Sequence, residues 1–162
     1  MDLDAHLAIS HTYAIYARAI DEKRFEYLEQ VFTPSAALHY EVSGHVFDCT
    51  GAGAVAAFSQ FLDLCYWTNH VIAPPMIEIT GKSAHASARV IATHLQRLPE
   101  GTLTRWEVRG SYHDTFALTA AGWRITSFDV VYKPLTQEMS LLQVTIDVDF
   151  GSLNKHGIFS YL

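Results

Sequence analysis

LTRWEVRGSYHDTFALTAAGWRITSFDVVY, residues 103–132, decides the fold. Two long stretches of strand character, about 103–118 and 122–132, flank the turn-forming Ala120-Ala121-Gly122. On the first, Trp106, Val108, Tyr112, Phe116 and Leu118 share one face, and Arg109, Ser111 and His113 the other. Pattern alone leaves open which of these faces lines a pocket. On the second, Asp129 shares a face with Ser127 and Val131. Strands joined this tightly pair antiparallel, which predicts a long hairpin.

Upstream, residues 68–80 and 84–97 read as two further strands, set apart by Gly81-Lys82-Ser83 and closed by Pro99-Glu100-Gly101. Residues 36–42 alternate, with Leu38, Tyr40 and Val42 on one face and Ala37, His39 and Glu41 on the other. Ser43-Gly44 turns this strand into a second piece near 45–47. Helical patterns cover about 2–20, 23–32 (ending at Thr33-Pro34-Ser35) and 52–66, the last capped by Thr50. The order predicts an α+β fold in which a curved, mixed, mostly antiparallel sheet wraps around N-terminal helices. Residues 1–134 form one domain on this reading. Residues 135–162 form an extension whose Leu141, Leu142, Val144, Phe150 and Phe159 pack on a pocket mouth or on a neighbouring subunit.

A length of 162 residues suits one domain with a proper core, and 49% hydrophobic against 17% charged residues describes a chain that folds. A formal charge of −6 with no basic run argues against a nucleic-acid surface. No stretch reaches the roughly 18 apolar residues of a membrane span. The opening Met1-Asp2-Leu3-Asp4 is acidic where a secretory signal is basic, which predicts no export signal. Cys49 and Cys65 are too few for a disulfide framework, and a reduced cytoplasmic setting fits them.

Asp21 is the most informative single residue. At 100° per residue, Leu3, Leu7, Ser10, Ala14, Ala17 and Asp21 fall on nearly one line of the first helix, which predicts that this line faces the core. A carboxylate there needs a partner. Most histidines, His6, His11, His85 and His156 among them, have ordinary explanations as solvated or core-edge imidazoles. His70 differs, because it stands where the third helix gives way to a strand, and such junctions let side chains converge. Tyr40 and His94 are polar groups on otherwise apolar strand faces, His94 sharing its face with Ala88, Val90 and Ala92.

These residues carry a family resemblance. Tyr16-Ala17-Arg18-Ala19-Ile20-Asp21 followed by Phe25 and Phe32-Thr33-Pro34 resembles the opening of the SnoaL-like branch of the nuclear transport factor two-like superfamily. Thr68-Asn69-His70, the run Ile77 to Ala84, and Ala88-Arg89-Val90 resemble its middle. Gly110-Ser111-Tyr112-His113-Asp114-Thr115-Phe116 with Gly122-Trp123-Arg124-Ile125 is similar to its closing hairpin. The match spans about residues 5–134 and implies a cone-shaped, cystatin-like barrel and a homodimer or homotrimer. Within the branch, scytalone dehydratase and hexachlorocyclohexane dehydrochlorinase are most similar. Both use an Asp–His pair at positions matched by Asp21 and His70, and the pattern extends to Tyr40 and His94. The chain departs from the first at Ile20, where a tyrosine is usual, and from the second at Tyr16, where a lysine is usual. Lys133 lies near a late-strand arginine position of the second. These departures leave the substrate open.

The expected chemistry follows. A carboxylate on one imidazole nitrogen fixes the tautomer and stabilises the cation formed when the other nitrogen takes a proton. His70 is thus expected to remove a carbon-bound proton beside an activating group, with Asp21 behind it, and His94 or Tyr40 to steady an oxygen or leaving group. Elimination of water or halide and double-bond isomerisation, or a polyketide cyclisation on the same fold, share this beginning. Tyr16, Phe61, Cys65, Trp106, Ser111 and Lys133 complete the expected substrate-binding set for a small hydrophobic, aromatic or polyketide-like molecule. No His-Glu-x-x-His or paired Cys-x-x-Cys occurs, so neither metal nor other cofactor is expected. Gly51-Ala52-Gly53 lacks the third glycine and lysine of a phosphate cradle and reads as a helix start. Two other readings compete: a non-catalytic module such as a dioxygenase small subunit, and a ketosteroid-type isomerase using Asp114 or Asp129. For these acids a structural ion pair with Arg109 or Arg124 is preferred.

Overall fold

The computed structural model describes residues 2–42, 45–63, 65–98 and 101–132, apart from the side chains of Val42, His45, Phe61 and Tyr132. The extension expected at 135–162, His156, and the Ser43-Gly44 turn lie outside the described residues. Among the described residues, no helix is long and apolar enough to cross a membrane.

Helix α1 spans Leu3–Asp21, capped by Asp2, whose carboxylate accepts the Ala5 N–H at 3.1 Å. Its buried side is Ala5, Ile9, Thr12, Tyr13, Tyr16, Ala19 and Ile20. This corrects the expected stripe: Leu3 and Leu7 are about 60% exposed, at 61% and 60%, and Ala14 is exposed too. The hydroxyls of Tyr13 and Tyr16 gave the true core side a mixed, polar pattern. The helix stops because Lys23 takes a left-handed conformation (φ 54°), with its N–H on the Ile20 carbonyl at 3.2 Å. Asp21 therefore sits in the last turn, at the rim of the buried side.

The expected second helix is a short 3-10 segment, Phe25–Gln30. Strand β1 (Phe32–Val42) starts earlier than the alternation predicts and pairs with β2 (His45–Thr50). A 3-10 turn at Gly51–Gly53 leads into α2 (Ala54–Phe61), with Thr50 accepting the Gly53 N–H at 3.2 Å. The helix is shorter than expected, so Cys65 opens β3 (Cys65–Ile72) rather than closing a helix. Gly51 reflects close packing, since a Cβ there would collide with the Thr33 carbonyl and touch Phe32 Cβ.

The remaining strands are β4 (Met76–Thr80), β5 (Ser83–Arg97), β6 (Leu103–Thr119) and β7 (Gly122–Tyr132). The stretch expected as one strand, 68–80, is two. Ala73 donates to the Arg89 carbonyl at 2.9 Å, then Pro74 and Pro75, with no N–H to give, interrupt the ladder until Met76 pairs with Ser87. Both pieces lie on the outer edge of β5. The sheet runs β2-β1-β7-β6-β5-β3, antiparallel except for β1 with β7, and it is curved but not closed. Even-numbered residues of β5 and β6 point inward: Ala84, Ala86, Ala88, Val90, Ala92 and His94 against Val108, Tyr112, Asp114 and Phe116. Those small alanines leave the volume that the tyrosines of α1 fill in one core cluster.

Candidate functional site

Asp21 and His70 meet where the end of α1 crosses β3. His70 Nδ1 lies 2.8 Å from Asp21 Oδ1, and the His70 backbone N–H donates to Oδ2 at 2.8 Å. Thr68, two residues back on the same strand face, places its hydroxyl 3.0 Å from Oδ1. The carboxylate thus has donors on both oxygens. It needs them, because burial and the negative end of the α1 dipole both oppose a charge there. Burial is the largest influence and raises the Asp21 pKa, yet the ring and backbone hydrogen bonds of His70, its charge and the Thr68 hydroxyl together hold it below its ordinary value. The side chains are 22% exposed for Asp21 and 5% for His70. With Asp21 ionised, Nδ1 carries the proton, which leaves the lone pair of the ring on Nε2.

A second imidazole stands beside the first. His94 pairs across the sheet with Thr68 on one side and Trp106 on the other, which puts all three on one inward row. Its ring lies edge-on to His70 at 5.5 Å and stacks on Trp106 at 3.5 Å with an interplanar angle of 2°. Burial above all, then the nearby His70 and Lys23, push its pKa down to about 3. His94 is therefore a neutral imidazole through the physiological range, and its buried Nδ1 has no hydrogen-bond partner among the described residues. Tyr16 meets the His70 ring edge-on at 6.1 Å, and its hydroxyl lies 3.2 Å from that of Tyr40.

The structure thus gathers Asp21, His70, His94, Trp106, Tyr16 and Tyr40. Cys65 is buried near the far end of β3, its thiol pKa raised by burial. Ser111 does not join them. The β6 face carrying Trp106, Val108, Tyr112 and Phe116 is inward, so Ser111 is on the outer face, where it accepts a hydrogen bond from Arg89 at 2.9 Å. Lys133 and the Phe61 side chain lie outside the described residues. The α2 ring that meets Tyr16 and Tyr40, at 6.1 and 5.5 Å, is that of Phe58, one turn before Phe61. Sequence reasoning missed Thr68 and Phe58 as site residues. Thr68 was findable, since two residues along a strand always share a face.

Asp114 answers differently from the expected ion pair. It is 3% exposed and accepts the Tyr13 hydroxyl at 2.5 Å, while Arg109 pairs with Glu107 and Arg124 donates to the Trp123 carbonyl. Burial drives its pKa well up, which favours the neutral acid, two residues along β6 from the Tyr112 ring that lies against Tyr16. A trough of about 520 Å³ opens on the outer face, among Met76, Glu78, His85, Ser87, His113 and Thr115. None of the gathered residues borders it. Among the described residues, no three His, Cys, Asp or Glu side chains converge as metal ligands.

Solved structures resemble this one in fold. A protein from Kribbella flavida superposes with a TM-score of 0.74 at 24% identity, over 83% of this chain and 94% of its own. A candidate scytalone dehydratase from Novosphingobium aromaticivorans reaches 0.71 at 18% identity, over 82% and 87%. A nuclear transport factor two-like superfamily protein from Salmonella enterica reaches 0.70 at 17% identity, over 86% and 98%. No curated protein matches the chain in sequence. The fold is that of nuclear transport factor two-like proteins, and residues 1–129 match the SnoaL-like domain, so this chain belongs to the SnoaL-like domain family.

Proposed function

We propose that this chain is a cofactor-independent lyase in which His70 takes a carbon-bound proton from a small hydrophobic cyclic substrate and water or halide leaves. The hydrogen bond between His70 Nδ1 and Asp21 Oδ1 carries this reading. It presents Nε2 as the base and gives the developing imidazolium an adjacent anion, an arrangement typically worth about 10²- to 10⁴-fold in rate. The proton comes from a carbon next to a carbonyl or similar group, where the resulting negative charge spreads onto an oxygen. The neutral His94 imidazole, with its unpartnered Nδ1, and the Tyr16–Tyr40 hydroxyl pair are the groups to steady that oxygen or the leaving group. The rings of Tyr16, Tyr40, Phe58 and Trp106 suit an apolar cyclic substrate. The fold shared with a candidate scytalone dehydratase supports an elimination of this kind. The two free cysteines suit a reducing, cytoplasmic setting.

The experiment is a screen of cyclic β-hydroxy ketones and halogenated cyclohexanes for turnover, followed by Asp21→Asn and His70→Gln. Turnover that both variants reduce supports the proposal. Equal turnover in all three proteins removes it. Ligand-induced stabilisation with no turnover of any substrate class assigns the chain to binding instead.

A further inference from the structure

Thr68 precedes His70 by two residues on β3, so both side chains point to the same face, and Thr68 is 3% exposed. Its hydroxyl lies 3.0 Å from Asp21 Oδ1 and 3.3 Å from the Ile20 carbonyl oxygen. A hydroxyl has one proton to give, and these two acceptors compete for it. The Ile20 carbonyl already takes the Lys23 N–H at 3.2 Å, where the left-handed Lys23 ends α1. The carboxylate oxygen is both nearer and charged, so the proton goes to Oδ1.

That choice matters for how the carboxylate is held. The His70 backbone N–H pins Oδ2, but one bond leaves the group free to pivot about that point. The bond from Nδ1 to Oδ1 does not prevent the pivot by itself, because the imidazole can turn with the carboxylate or present its other tautomer. A hydroxyl fixed to the strand does prevent it. We propose that Thr68 is a positioning residue: its hydroxyl pins Asp21 Oδ1 opposite His70 Nδ1, and so selects the tautomer that leaves Nε2 as the base. Its donation also helps to hold the Asp21 pKa below its ordinary value, which keeps the carboxylate an anion behind the ring. Only the effect on rate rests on the proposed proton abstraction; the choice of tautomer is a property of the folded chain without substrate.

The test is NMR of the full chain carrying ¹⁵N-histidine, as wild type, Thr68→Val and Thr68→Ser, at about pH 8.5 where an ordinary imidazole is neutral. In the wild type, His70 is expected to show a protonated Nδ1 and an unprotonated Nε2. In Thr68→Val the two nitrogen shifts are expected to move toward each other, as the second tautomer becomes populated, with circular dichroism unchanged. Thr68→Ser keeps the hydroxyl and is expected to restore the wild-type shifts. With a substrate found in the screen, kcat of Thr68→Val is expected to fall about tenfold at unchanged KM, and Thr68→Ser to recover it. Wild-type shifts in Thr68→Val overturn the proposal, whatever its stability, because the hydroxyl then serves the Ile20 carbonyl and only ties helix to strand. A serine variant that behaves like the valine variant overturns it as well. Converging shifts with turnover indifferent to Asp21→Asn and His70→Gln leave the positioning role standing and remove the proposed chemistry. Should Thr68→Val not fold, the wild type decides: a nuclear Overhauser contact from the Thr68 hydroxyl proton to His70 Nδ1–H supports the proposal, and one to the Lys23 amide proton instead overturns it.

Discussion

The Asp21 carboxylate reaches the His70 imidazole at 2.8 Å across the seam between α1 and β3, and it holds the His70 backbone with its other oxygen. One side chain thus fixes both the position of the strand and the tautomer of the ring. Asp21→Asn keeps the shape but puts an amide where three donors point. Turnover is expected to fall about 10²- to 10⁴-fold with the fold intact. The Asp21 pKa lies below its unfolded value, so its stabilisation is present above about pH 4 and is lost as pH falls through the folded value. Denaturant titrations from pH 7 to 3 should show the wild-type advantage over the variant shrinking in acid.

His94 titrates far from its ordinary range because it is buried against Trp106 and faces His70. The unfolded chain binds a proton at this residue near pH 6.5, whereas the folded protein resists until about pH 3. Stability contributed by the neutral ring is therefore lost progressively as pH drops between those values, amounting to a few kcal/mol. His94→Gln should flatten this part of the stability profile, measured by urea denaturation. In the proposed enzyme, His94 acts without a charge change, so this variant should lower turnover without moving the apparent pKa of the rate profile.

Asp114 has the opposite sign. Its pKa is raised by burial, so the neutral acid is favoured in the folded state and stability falls as pH rises above the unfolded value near 4. Asp114→Asn retains an acceptor for the Tyr13 hydroxyl and removes the ionisation. It should be more stable than wild type at neutral pH and equal to it below about pH 4. Tyr13→Phe deletes the donor and should cost about 1–3 kcal/mol.

Gly51 and Gly53 separate close approach from simple turn preference. Gly51→Ala drives a methyl into the Thr33 carbonyl at the start of β1 and should destabilise by roughly 1–3 kcal/mol. At Gly53 the nearest atom to a Cβ is the Thr50 hydroxyl at 3.5 Å, so Gly53→Ala should be close to neutral. Thermal unfolding of the two variants side by side makes the comparison.

The sheet was largely legible because alternation along 84–97 and 103–118 survives in the real strands, and the family motifs keep their spacing. The parity of β6 was not legible, since Arg109, Ser111 and His113 could line a polar cavity as easily as Trp106 and Tyr112 an apolar one. Only the helix lying against the inner face decides that. The α1 stripe misled for a related reason: Leu3 and Leu7 look like core residues, while Tyr13 and Tyr16 are amphipathic and spend their hydroxyls on Asp114 and Tyr40. Asp21 could be named because it is a polar group at a helix end, whereas the helix-to-strand junction expected at His70 is not there: α2 ends at Phe61 and His70 lies within β3. That Thr68 shares the His70 face was legible from the strand period, while the contact of its hydroxyl with the carboxylate depends on how α1 crosses β3.

The most direct measurement is deuterium wash-in at the carbon beside the activating group, followed by NMR for a substrate found in the screen. Wild-type protein in D₂O should place deuterium there, or give an isotope effect on breaking that bond, and His70→Gln should abolish it while still binding the substrate. Exchange or turnover that persists undiminished in His70→Gln would contradict the account, because the proton would then leave by a route that does not involve this imidazole.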